Sequence, residues 1–142
     1  MEKILVSACL LGRNCRYDGK NCFLTGVKEL EKKYTLVPVC PEELGGLPVP
    51  RTPSEIRDGR VYDREGNDVT ESFLTGANKA LQRAFEEGIS IALFKSLSPS
   101  CGSLIVYDGH FDGGKTEGDG ITAALLKKHG ICVYTEEEIE KL

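Results

Sequence analysis

Four short apolar runs, separated by segments with helical spacing, constrain this 142-residue chain more than any other feature. The runs are Ile4–Ala8, Thr35–Val39, Ile89–Phe94 and Ile131–Tyr134. Each is too short for a buried helix and nearly continuous in apolar residues, which fits strands covered on both faces. Between them, Val27, Leu30 and Tyr34 recur near a helical period within residues 24–34. Asp68-Val69-Thr70-Glu71 has the form of a capping box. The helix it opens places Phe73, Ala77, Ala80, Leu81, Ala84 and Phe85 on one face and stops at Gly88. A shorter helix over Ile121–His129 is stopped by Gly130, and Thr135-Glu136-Glu137-Glu138 caps a terminal one.

Strands that alternate with helices predict an α/β fold with a parallel or mostly parallel sheet and helices on both sides. Two stretches depart from the alternation. Asp58–Val69 and Tyr107–Gly120 are rich in Gly and Asp and read as hairpin excursions from the sheet. Residues 1–142 otherwise show no linker, repeat or low-complexity tract, so the expectation is a single domain.

Charge and composition narrow the function. A net charge of −4 gives no basic field for a nucleic-acid polymer. Trp is absent and aromatics make up 7% of the chain, which leaves no stacking platform for single strands. A small nucleobase-like ligand needs neither. The apolar run from Ile4 to Leu11 follows a leader, Met1-Glu2-Lys3, with no net charge and is short for a signal peptide, so a cytoplasmic protein without a membrane span is expected. In that reducing compartment the six cysteines read as metal-binding, catalytic or buried residues rather than a disulfide framework.

Position separates the cysteines. Cys9 follows the first strand, Cys40 ends the second, and Cys101 lies in the loop after the third. Right-handed crossovers bring the carboxyl ends of parallel strands to one edge of a sheet, where ligand crevices form. Cys40-Pro41-Glu42-Glu43 has the form of a helix start, whose free N–H groups favour a thiolate. The alternative is that these three are small buried hydrophobes. Cys22 and Cys132 read as such fillers, and Cys15, six residues past Cys9, is open between ligand, neighbouring thiol and bystander. Soft thiolates select zinc, copper(I) or iron–sulfur clusters. No CxxC pair and no HxxxH or HExxH motif supports zinc. Three ligands for a cubane with one open iron fit the count better.

One formal motif points elsewhere. Gly109-His110-Phe111-Asp112-Gly113-Gly114-Lys115-Thr116 matches a phosphate-binding loop, but Gly118-Asp119-Gly120 follows where a helix must begin. Glu42 reads locally as a first-turn acid facing a helix dipole. Arg16, Asp18 and Arg51 offer anchors for a polar ligand or, equally, surface ion pairs.

Taken together, several segments resemble a small bacterial family, long of unknown function, that includes the thiouracil desulfidases. They are Ser7-Ala8-Cys9-Leu10-Leu11-Gly12, Arg16-Tyr17-Asp18-Gly19, Cys40-Pro41-Glu42, Gly45-Gly46-Leu47-Pro48 with Pro50-Arg51, Ser98-Pro99-Ser100-Cys101-Gly102, and Gly120-Ile121-Thr122-Ala123-Ala124-Leu125-Leu126. The resemblance implies a Rossmann-like three-layer α/β fold and a [4Fe–4S] cluster on Cys9, Cys40 and Cys101. It also implies that Glu42 and Ser98 are catalytic; beside them, Arg16, Asp18, Arg51 and Ser100 are the weaker substrate-binding candidates. The implied reaction is non-redox hydrolysis of a C=S bond in a thiolated nucleobase or nucleoside, releasing hydrosulfide. Two rival readings of the same residues are a cluster-free thiol-dependent sulfur transferase using Cys40 or Cys101, and a non-enzymatic metal- or sulfur-binding module.

Overall fold

The computed structural model describes residues 1–142. Its strands are β1 (Glu2–Ser7), β2 (Tyr34–Val39), β3 (Ser54–Arg57), β4 (Arg60–Asp63), β5 (Ile91–Phe94), β6 (Ile105–Tyr107), β7 (Lys115–Glu117) and β8 (Cys132–Thr135). Its helices are α1 (Val27–Glu31), α2 (Pro41–Leu44), α3 (Thr70–Glu87) and α4 (Ile121–Lys128), with 3-10 turns at Ala8–Leu11 and Glu136–Lys141.

The four apolar runs build one all-parallel sheet in the spatial order β2-β1-β5-β8. The pairing of β1 with β2 runs in register from Glu2 opposite Tyr34 to Ser7 opposite Val39. The glycine-rich stretches form two separate antiparallel hairpins, β3–β4 and β6–β7. The α/β expectation with two excursions therefore holds.

Side chains alternate across the sheet. Leu5, Val37, Val39, Ala92, Phe94 and Val133 join Ala80, Leu81 and Ala84 of α3 and Ala123 and Leu126 of α4 in one cluster. Ile4, Val6 and Leu93 join Leu30 of α1 and Ala8, Cys9, Leu10 and Cys15 in another. Three layers result. No helix is long and apolar enough to cross a membrane.

Several local expectations need correction. Phe85 is 58% exposed and meets His129 edge-on, because it falls beyond the buried stripe of Phe73, Ala77, Ala80 and Ala84. Cys132 is exposed: it opens the edge strand β8 and points away from the core that Val133 enters. The segment 24–34 yields only the five-residue helix α1. Asp68 makes no capping box with Glu71; it lies one residue before the helix cap, accepts the Thr70 N–H at 3.0 Å and pairs with Arg60. The terminal segment is a 3-10 turn rather than an α-helix, although the expected Thr135 cap is present as a capping box, the Glu138 carboxylate accepting the Thr135 N–H at 3.1 Å.

α2 meets α3 backbone to backbone. A Cβ on Gly45 would strike the Ser72 carbonyl, and one on Gly76 would strike that of Pro41. Only glycine permits this approach.

Candidate active site

The chain passes from β1 to β2 on one side and then returns across β1 to β5 on the other. Such a reversal opens a crevice beyond the carboxyl ends of the strands. Cys9 sits there on the 3-10 turn after β1, and Cys40 caps α2 directly after β2, with Pro41 at the first helical position. Cys101 lies on the loop after β5. A cavity of about 370 Å³ brings these three together with Cys15, Glu42 and Ser98. None of the thiols is in a disulfide.

The thiols affect one another. Burial pushes Cys101 up to about 12, aided by the charges of Cys40 and Glu42 and opposed by hydrogen bonds with Ser7 and Ser100. Cys15 rises to about 11: its hydrogen bond with Cys40 works against the shift, and its bond with Cys9 and burial outweigh it. Cys40 is raised well above the usual thiol range by its bond with Cys15 and by burial, while the Glu43 N–H acts the other way. The Cys15 and Cys40 sulfurs and a Glu43 carboxylate oxygen lie within 4.8 Å of one another. Crowded, desolvated thiols stay protonated unless a cation replaces the protons, so this donor set fits a soft metal centre.

Glu42 is part-buried, its side chain 17% exposed, and burial raises its carboxyl above the usual range even though Arg51 opposes this. Its Oε1 accepts from Arg51 Nε at 3.1 Å. Arg51, 7% exposed at its side chain, also donates to the carbonyls of Pro48 at 3.1 Å and Cys15 at 2.9 Å. Its own backbone N–H reaches the Tyr17 carbonyl at 2.7 Å. The guanidinium thus ties Glu42 to the Cys15 loop.

Ser98 Oγ accepts the N–H groups of Ser100 at 3.1 Å and Cys101 at 2.9 Å. With its acceptor positions filled, the hydroxyl proton is left to be donated. The same loop caps α4: the Ile121 and Thr122 N–H groups donate to the carbonyls of Pro99 and Ser100, both at 2.9 Å. A Cβ on Gly120 would meet the Ser100 carbonyl at 2.5 Å. Those bonds occupy the α4 N-terminus. The formal phosphate-binding motif ends on β7, with no helix beginning at Lys115 or Thr116.

The remaining candidates divide. Arg16 lines the cavity, reaching Cys22 Sγ at 3.1 Å and Asp18 at 3.4 Å. Asp18 lies outside the wall and serves Arg16 and the Lys20 N–H. Ser100 is buried outside the cavity, its hydroxyl 2.7 Å from that of Thr122. The Arg64 guanidinium stacks on Phe111 at 5.9 Å, and both line the cavity. Three features escape sequence reasoning. Lys95 and Ser96 enter the wall held by Glu136, whose carboxylate accepts the Ser96 N–H at 2.6 Å, its hydroxyl at 2.7 Å and Lys95 Nζ at 3.0 Å. Glu55 from β3 also lines the cavity and binds the loop between β6 and β7. Phe111 in that loop has a left-handed backbone, φ 54°, which is costly for a large side chain. Alternation within β3 would have turned Ile56 inward and Glu55 outward, and nothing in the sequence announces the contact between hairpins.

A solved structure of a [4Fe-4S]-dependent thiouracil desulfidase, TudS, is similar to this chain, with 44% identity and a TM-score of 0.94. The match covers 100% of this chain and 95% of that one. The uncharacterized protein YbbK of Bacillus subtilis (strain 168) is 41% identical over 98% of this chain and 99% of its own length. The 2-thiouracil desulfurase family model matches residues 4–138. By its sequence over nearly its whole length, the chain belongs to the 2-thiouracil desulfurase family.

Proposed function

We propose that the protein removes sulfur from a thiolated nucleobase or nucleoside by hydrolysis of its C=S bond. The balance is thiocarbonyl plus water to carbonyl plus hydrosulfide and a proton, with no net oxidation or reduction. The observation that carries this reading is the convergence of free thiols and the part-buried Glu42 carboxylate, whose basicity burial raises, on a single cavity. Family membership and the likeness to a [4Fe-4S]-dependent thiouracil desulfidase support it.

Cys9, Cys40 and Cys101, each from a different strand end, would hold a [4Fe–4S] cluster and leave one iron without a protein ligand. When bound, the cluster supplies a Lewis-acidic iron for a thiocarbonyl sulfur. Glu42 takes a proton from the attacking water, a task suited to a carboxylate whose basicity is raised by burial. Arg51 fixes the direction of that carboxylate through Nε. Ser98, restricted to donating, delivers a hydrogen bond to the reacting group. Cys15, whose sulfur lies within 4.8 Å of the Cys40 sulfur and a Glu43 carboxylate oxygen, is not among the ligands that the family resemblance supplies. The raised thiols of Cys40 and Cys101 are poor nucleophiles by themselves, which weighs against the sulfur transferase. A reducing cytoplasm suits such a centre.

Anaerobic reconstitution should give brown protein with about four irons and four sulfides per chain. It should release hydrosulfide from thiouracil. Glu42→Gln should keep its iron and lose about 10²- to 10⁴-fold in turnover. In the wild type, the acidic limb of the kcat/KM profile should lie above the usual carboxylate range, activity falling as pH drops through it. Full turnover in Glu42→Gln, or colourless protein whose activity is abolished by thiol alkylation, would overturn the reading.

A further inference from the structure

Glu55 and Glu42 are the two acidic side chains in the cavity wall. Glu42 is paired with Arg51. Glu55 is 9% exposed and has no cationic partner. Its Oε1 accepts the Gly109 N–H at 3.0 Å and the Phe111 N–H at 3.2 Å, so that oxygen is spent on holding the loop. The bend at Gly109 makes this contact close: its φ is 92°, and a Cβ there would meet the Ile56 carbonyl at 2.7 Å. Oε2 makes no hydrogen bond within the protein. Oε2 is open to the cavity rather than sealed from solvent, so half of the carboxylate's acceptor capacity is available to a donor that enters there.

The other charged groups facing the cavity are donors: Arg16, Arg51, Arg64 and Lys95. A thiolated pyrimidine presents a ring N–H beside its thiocarbonyl, and that hydrogen needs an acceptor. Resting on the desulfidase reading above, we infer that Oε2 of Glu55 accepts the ring N–H flanking the thiocarbonyl. Glu55 thereby selects cyclic thioamides that carry this hydrogen over N-alkylated ones. It touches the substrate without joining the reaction, and its anchored Oε1 fixes the direction in which Oε2 faces.

The test compares 4-thiouracil with N3-methyl-4-thiouracil on the reconstituted holoenzyme. Wild type should favour 4-thiouracil by about 10- to 100-fold in kcat/KM, the range for one hydrogen bond to a charged group. In Glu55→Gln the amide oxygen can keep the two loop N–H groups while the amide NH₂ turns a donor toward the ring. KM for 4-thiouracil should then rise about 10- to 100-fold and the preference should fall toward one. kcat and iron content should hold. A second readout is calorimetric: in the Glu42→Gln background, adding Glu55→Gln should weaken 4-thiouracil binding by the same factor. Unchanged KM values, or equal losses on both compounds, would overturn the inference and leave the desulfidase reading standing. Wild-type holoenzyme that releases sulfide from neither compound would overturn both.

Discussion

The two faces of the parallel sheet are covered by different materials. Under α3 and α4 the packing is aliphatic and aromatic, with Leu5, Val39, Phe94, Ala80 and Leu126 among its buried members. On the opposite face the helix is only five residues long, and thiols fill space that aliphatic side chains would otherwise take. Cys9 and Cys15 are both buried there, and Cys22 and Cys40 pack against them. A cysteine packs as a small hydrophobe until a metal or an oxidant reaches it. The first face is thus organised for stability. The second holds Cys9 and Cys15 inside its own core, while Cys101 packs with the first, and the two meet where α2 touches α3.

That division can be broken by substitution. The largest effect is expected at the cavity: Cys9→Ala, Cys40→Ala and Cys101→Ala should each abolish iron binding and turnover, while Cys15→Ala keeps its iron. Iron and sulfide analysis of the reconstituted proteins decides this, and wild-type iron in any of the first three would break the assignment. Leu126→Ala, on the aliphatic side, should cost about 2–5 kcal/mol in denaturant unfolding and leave iron per folded chain unchanged. Gly76→Ala probes the junction. Alanine gains up to about 1 kcal/mol in helix propensity, but the collision with Pro41 should cost about 1–3 kcal/mol. Because Cys40 and Glu42 ride on α2, iron content and turnover should fall together; a loss of stability with full iron would mean the two faces are independent. The smallest effect is expected for Cys132→Ser, within about 0.5 kcal/mol in stability and without change in iron.

The contrast also explains what the sequence discloses. Ile4–Ala8 and Ile89–Phe94 are legible as buried strands because a strand covered on both faces has no reason to alternate. The meeting of Cys9, Cys40 and Cys101 at one cavity follows from that, since parallel connections carry strand ends to a common edge. Phe85 and Cys132 are misread because local pattern sets an element's face but not its width or its edges. Glu55 and Glu136 are out of reach for a different reason. Each acts through backbone groups of a distant loop, and any N–H looks alike in sequence.

Glu136 has one more consequence. Its carboxylate fixes Lys95 and Ser96, the residues that lead out of β5 toward Ser98 and Cys101. During synthesis this anchor leaves the ribosome about forty residues after the loop it holds, at rates that leave seconds between them. Cys9 and Cys40 emerge early, but the loop bearing Cys101 lacks its brace until Glu136 docks. The finished arrangement of that loop is therefore tied to the docking of Glu136, a residue made well after it.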